Sequence, residues 1–359
     1  MEPNYGHVSN QGRAHEANPR GEVGEGRRPI PGRSGAVDFL RVLGITAVVA
    51  GHVTAWAGPL TRETLYPWHV PLFFFLSGYF WSENRTLTSE IRNRAKSLLV
   101  PYLFWLVVIG AWWISQLDDV GFSTLSRLIQ GGSRLTGPFA AFWFVTALFV
   151  AVVLLRAIQR FPQWLQWAVA LGALAVTYAD SNLVAKIPLA AGIGCTCVVF
   201  ILAGRVFKRL RSRLMRPLLI GSLLLLGSVC AILADWSSYF DLKNAKLGVP
   251  VTTVVVAIAI CAGMVLVAET LVPLAGPRFA AGVTLLARCG FLVVLTHALL
   301  LIVLMQWGAE PWLVFSGSLV IPWLLAVLVL RTPLAPLMLG TPRAGKPRSI
   351  QPDPLPGRP

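Results

Sequence analysis

Long uncharged apolar runs recur along the chain, separated by short polar stretches. Leu218–Ala234, Val249–Ala268 and Leu313–Leu330 contain no charged residue. At about 1.5 Å of rise per residue, roughly 18–20 such residues cross a hydrocarbon core of about 30 Å. Because the runs are continuously apolar rather than alternating, a membrane β-barrel is excluded. Hydropathy and helix-end signals place ten segments at about 37–57, 69–82, 97–117, 139–157, 163–180, 188–204, 217–234, 248–268, 284–305 and 311–330. The predicted fold is all-α, a polytopic membrane helical bundle of about ten transmembrane helices. Pro101, Pro188, Pro217, Pro250 and Pro311 fall near segment starts, where a missing N–H costs little. The second segment is short and opens with His69 and Pro71, which suits a tilted or partly re-entrant helix.

Charge fixes the expected orientation. Of 359 residues 55% are hydrophobic and 13% charged, about half the charge of an ordinary soluble domain. The net charge of +15, from 31 basic and 16 acidic residues, would suggest nucleic acid if the basic residues formed a stripe on a soluble surface. They lie between apolar runs instead, so no nucleic-acid partner is expected. With the N-terminus inside, 25 basic residues fall in inside segments and six outside (Arg62, Arg127, Arg134, Lys186, Lys243 and Lys246). That bias predicts an N-in, C-in, multi-pass plasma-membrane protein with both termini cytoplasmic. Residues 1–36 and 331–359, rich in Gly, Pro and Arg, are expected as disordered cytoplasmic tails, and the chemistry is assigned to the bundle at 37–330. The five cysteines lie within spans and are expected as packing residues, and no metal site is expected. The sequon at Asn84 is expected in the cytoplasm and is discarded.

Ionisable and polar side chains inside the spans are few, which makes them informative. Asp38 and Arg41 stand one helical turn apart and can pair. His52 follows about three turns deeper, roughly 16 Å along nearly the same face. An imidazole suits proton transfer near neutral pH, although an interhelical hydrogen bond is an equal reading for a lone intramembrane histidine. The run Pro71-Leu-Phe-Phe-Phe-Leu-Ser77-Gly78-Tyr79 puts small and hydroxyl-bearing residues in the bundle. Arg92, Arg94 and Lys96 gather three cations within five residues ahead of Pro101-Tyr102, a candidate phosphate site or ordinary positive-inside charge.

Taken in order, these residues resemble the acyltransferase-3 family of integral membrane O-acyltransferases. The pieces are Asp38-x-x-Arg41 followed by His52, the Pro71–Tyr79 run, Arg94 before Pro101-Tyr102, Trp143-Phe144 with Leu148, and His297 in the penultimate segment. The Pro71–Gly78 form is similar to the fucose 4-O-acetylase-like branch. The resemblance implies an acyl-CoA donor, acetyl-CoA above all. The acceptor would be a hydroxyl of a lipid-linked or cell-envelope glycan. It further implies His52 as general base, Arg41 and Asp38 orienting the site, and Arg92, Arg94 and Lys96 meeting the donor's phosphates. His69, Ser77, Tyr79, Trp143 and His297 would line the cavity or pack beside it. A proton-coupled secondary transporter is the alternative, and a membrane scaffold a third reading. Neither an internal repeat nor mid-span acidic residues favour the transporter.

Overall fold

The computed structural model describes residues 35–343 apart from Ala57 and Val120. The expected tails therefore lie mostly outside the described residues. The fold is all-helical, with one isolated bridge between Asp241 and Lys246 in place of any strand among the described residues. In chain order the helices are α1 (Gly35–His52), α2 (Pro59–His69), α3 (Pro71–Tyr79), α4 (Leu87–Arg94), α5 (Val100–Ser115), α6 (Phe122–Gln130), α7 (Phe142–Ile158) and α8 (Gln163–Ala179). They continue with α9 (Ser181–Lys186), α10 (Ala191–Arg211), α11 (Pro217–Leu233), α12 (Thr252–Leu271), α13 (Gly276–Gln306), α14 (Pro311–Val329) and α15 (Ala335–Leu339). Among the described residues six helical stretches are long and apolar enough to cross a membrane, one of them the 55-residue stretch of α12 and α13. The chain is thus a multi-pass membrane protein. Helices α8 and α11 have 17 residues each, at the short end of what crosses a bilayer, while α3 has nine and by itself is shorter than a crossing helix.

Local chemistry explains the unusual second segment. Pro71 has no N–H to bond back into α2, so the helical ladder stops at Val70, which itself keeps helical backbone angles, and the chain divides into α2 and α3. The short α3 packs on α10 and α12. Its closest approach uses two glycines: a Cβ on Gly78 would strike the carbonyl of Ile201, and one on Gly204 the carbonyl of Phe75. Small residues let membrane helices meet backbone to backbone, where lipid offers no hydrophobic drive.

A buried ion cluster fastens the next connection. Glu90 of α4 is 1% exposed and receives Arg94 Nε at 2.9 Å and Arg156 of α7 at 2.9 Å. Arg156 also donates to the carbonyl of Ser82 and stacks 4.0 Å from the Trp81 ring centroid. A π-helical turn, Ala95–Leu99, joins α4 to α5 ahead of Pro101. Residues 335–339, expected in the C-terminal tail, form α15 instead. Ala335 and Leu339 are buried, and Trp105 donates to the carbonyl of Met338 at 3.0 Å. Prolines on either side hid this short apolar turn.

Candidate functional site

Two cavities lie end to end inside the bundle. The first, about 120 Å³, is lined by His52, His69, Tyr66, Trp143, Asp241 and Lys243 together with apolar residues. The second, about 190 Å³, is lined by Arg41, Ser77 and Arg94 with Ile45, Leu98 and Phe291. Phe73, Phe144 and Val294 line both. The Phe73 and Phe144 rings meet edge-on at 5.4 Å, and Phe74 abuts Phe144 at 5.6 Å. An aromatic wall therefore separates a cavity of histidines from a cavity of arginines. Helix α1 runs along both, which places Arg41 in one and His52 in the other.

The histidine cavity holds its imidazoles in one tautomer. His52 Nδ1 lies 2.7 Å from the carbonyl of Val48, and His69 Nδ1 lies 2.7 Å from the carbonyl of Leu65. A carbonyl only accepts, so Nδ1–H donates in each, and in the neutral ring the lone pair is left on Nε2. That is the arrangement a general base needs. Tyr66 donates to the carbonyl of Gly51 at 3.3 Å and stacks edge-on against His69 at 4.9 Å. His297 lines neither cavity. It is fully buried on α13, with its ring 5.1 Å from that of His52, its Nδ1 2.9 Å from the Val293 carbonyl and its Nε2 without a hydrogen-bond partner among the described residues.

One wall of this cavity comes from the connection between α11 and α12, a segment the sequence presented as a plain loop. Lys243 donates to the carbonyl of Leu135 at 2.8 Å. Burial pulls its ammonium below the ordinary lysine range, with the charge of Asp241 acting the other way. Burial likewise pushes the Tyr239 hydroxyl up, and Asp241, which accepts its hydrogen bond at 3.0 Å, adds to that shift. Tyr66, Asp241 and Lys243 were missed in sequence. The available signal was two lysines and two aspartates gathered in one connection between apolar segments.

In the arginine cavity, Arg41 pairs with Asp38 at 2.9 Å, as their spacing predicts, and Asp38 also accepts from Thr284 of α13 at 2.9 Å. Asp38 is fully buried in the first turn of α1, where the helix dipole favours a negative charge. Arg94 reaches the cavity while Arg92 and Lys96 point to the exposed face, so one of the three grouped cations is placed with Arg41 and two are not. Ser77 lines the cavity and donates to the carbonyl of Phe73 at 2.9 Å. Tyr79, two residues on and on another face, instead donates to Glu269 at 2.6 Å, which also holds Arg211 at 2.6 Å. Trp143 lines the histidine cavity.

A family model described as an acyltransferase domain matches residues 34–339 of the chain. The nodulation protein NolL of Mesorhizobium japonicum is 28% identical over 159 residues, 41% of this chain and 41% of that protein. NolL of Sinorhizobium fredii is 29% identical over 147 residues, 37% of this chain and 40% of that protein. The chain thus aligns with about two fifths of each relative's length. No solved structure matches.

Proposed function

The chain belongs to the acyltransferase-3 family, and we propose that it is a membrane O-acyltransferase. It moves a short acyl group, acetyl, from cytoplasmic acyl-CoA to a hydroxyl of a lipid-linked or cell-envelope glycan. The observation that carries this reading is the pair of cavities on α1, arginines on one side of the aromatic wall and a base-ready histidine on the other. In the proposed topology ten segments cross the plasma membrane with both termini in the cytoplasm. The arginine cavity then faces the donor and the histidine cavity the acceptor. The proton-coupled transporter alternative is without support, since the family matched is one of acyltransferases.

Arg41 and Arg94 receive donor phosphates, for which guanidinium forks are well suited. The thioester arm then passes the wall of Phe73 and Phe144 and brings the acyl carbon beside His52. The acceptor oxygen attacks that carbon while Nε2 of His52 takes its proton. Collapse of the adduct expels the coenzyme A thiolate, which recovers the proton as the ester is released. General-base help of this kind contributes about 10²–10⁴-fold. The small histidine cavity, about 120 Å³, favours acetyl over longer acyl groups. Transfer of labelled acetyl from acetyl-CoA to envelope glycan tests the scheme with His52→Ala and Arg41→Ala. Loss of transfer in folded variants is expected, and a folded His52→Ala protein that still turns over removes the proposed base.

A further inference from the structure

The connection between α11 and α12 contributes a cation that the scheme above does not use. This segment is packed into the bundle: Phe240, Leu242, Ala245 and Leu247 are buried. The backbones of Asp241 and Lys246 exchange hydrogen bonds of 2.7 and 2.9 Å, and Phe200 of α10 meets Phe240 edge-on at 6.2 Å. Its two charged cavity residues are held differently. The Asp241 carboxylate is committed to the turn, accepting from the Tyr239 hydroxyl at 3.0 Å, from the Asn244 side chain at 2.7 Å and from the Asn244 backbone at 3.4 Å. Lys243 has three N–H donors, gives one to the Leu135 carbonyl at 2.8 Å, and forms no salt bridge among the described residues. Its side chain lines the same cavity as His52 and His69.

We propose that Lys243 is a catalytic residue that stabilises the oxyanion of acyl transfer, an inference that rests on the acyltransferase reading. When the acceptor oxygen bonds to the thioester carbon, the carbonyl π pair moves onto oxygen and the hydroxyl proton moves to His52. An N–H of Lys243 donates to the new oxyanion. On collapse the C=O re-forms, the C–S bond breaks, and His52 returns the proton to the departing thiolate. Lys243 stays charged throughout and transfers no proton. A donor fixed by a packed segment costs no reorganisation at the moment of reaction, and loss of one oxyanion donor elsewhere lowers kcat about 10²–10³-fold.

The test uses the full chain in proteoliposomes, with acetyl-CoA as donor and a synthetic lipid-linked disaccharide as acceptor. Thiol release, ester formation and thermal melting are read for wild type, Lys243→Met and Lys243→Arg. The expected result is a fall in kcat of about 10²–10³-fold for Lys243→Met, with KM for donor and acceptor within about threefold, unchanged melting, and at least tenfold recovery in Lys243→Arg. Should Lys243→Met fail to accumulate, Lys243→Gln, which keeps a donor for Leu135 without the charge, serves the same comparison. A kcat within threefold of wild type overturns the proposal. So does a loss that tracks melting and is not recovered by Arg, or one confined to the KM for the acceptor. If wild type itself releases no thiol and forms no ester, the acyltransferase reading fails instead.

Discussion

Replacing Glu90 by glutamine removes one charge from the buried cluster that seats α4, and both of its consequences follow from the geometry. Glu90 and Arg156 have side chains that are each 1% exposed and meet at 2.9 Å, whereas Arg94 is 26% exposed and Arg85, 3.7 Å away, is 48% exposed. Arg85 is too solvated for its contact to weigh much. Removing one partner from a buried pair costs about 3–5 kcal/mol, because the other charge stays buried. Arg156 keeps the Ser82 carbonyl, Gln159 and the Trp81 face, which puts the expected loss at the low end, about 3 kcal/mol. At about 2–4 °C per kcal/mol, scaled down for a larger protein, the melting temperature in detergent should fall by at least about 5 °C. The functional consequence is separate. Glu90 also fixes Nε of Arg94, so a glutamine that satisfies Arg156 releases Arg94 from its position beside Arg41. The KM for acetyl-CoA should then rise about tenfold, the equivalent of about 1.4 kcal/mol of donor binding, with kcat little changed. Thermal melting and donor-saturation kinetics on the same preparation measure both. A Glu90→Gln protein that melts within about 1 °C of wild type refutes the buried-pair assignment. One that melts low but binds donor normally refutes the link to Arg94.

Three further outcomes are expected. Arg94→Ala raises the KM for acetyl-CoA about tenfold or more through loss of a charged phosphate contact, while Arg92→Ala, exposed on the other side of α4, changes it less than about twofold; equal effects would mean that both cations meet the donor. Phe144→Ala joins the two cavities and, beside a stability loss of about 3 kcal/mol, raises thiol release to water relative to ester formed. An unchanged ratio would show that the wall does not govern access. Gly204→Val drives a side chain into the backbone of α3 and should abolish accumulation of folded protein. Gly172→Val, where no neighbour lies within 4 Å of the missing Cβ, should be tolerated, and normal folding of Gly204→Val would contradict the close seam.

Much of the architecture was legible because lipid demands long apolar helices: each of the ten apolar segments overlaps a helix, and six helical stretches among the described residues are long and apolar enough to cross a membrane. What hydropathy could not give was length in space. Proline breaks and glycine contacts make α3 a nine-residue helix wedged on α10, and pattern alone cannot distinguish that from a tilted span. The pairing of Asp38 with Arg41 was legible because both lie one turn apart on a single helix. Arg92, Arg94 and Lys96 read alike in sequence, and only the buried partner Glu90 selects which of them turns inward. Tyr79 was drawn away from the cavities by Glu269, 190 positions along the chain. Lys243 was hidden for the same kind of reason, since a loop that folds back between helices has no period to announce it.

In the proposed scheme acyl groups enter at the arginine cavity and leave from the histidine cavity on the other side of the aromatic wall. Proteoliposomes with a single protein orientation, acetyl-CoA sealed on the face of α4 and a lipid-linked disaccharide offered only on the opposite face, test it directly. Labelled ester on the opposite face, absent with His52→Ala, is the result this account predicts. Ester formed only when donor and acceptor share one face would contradict it.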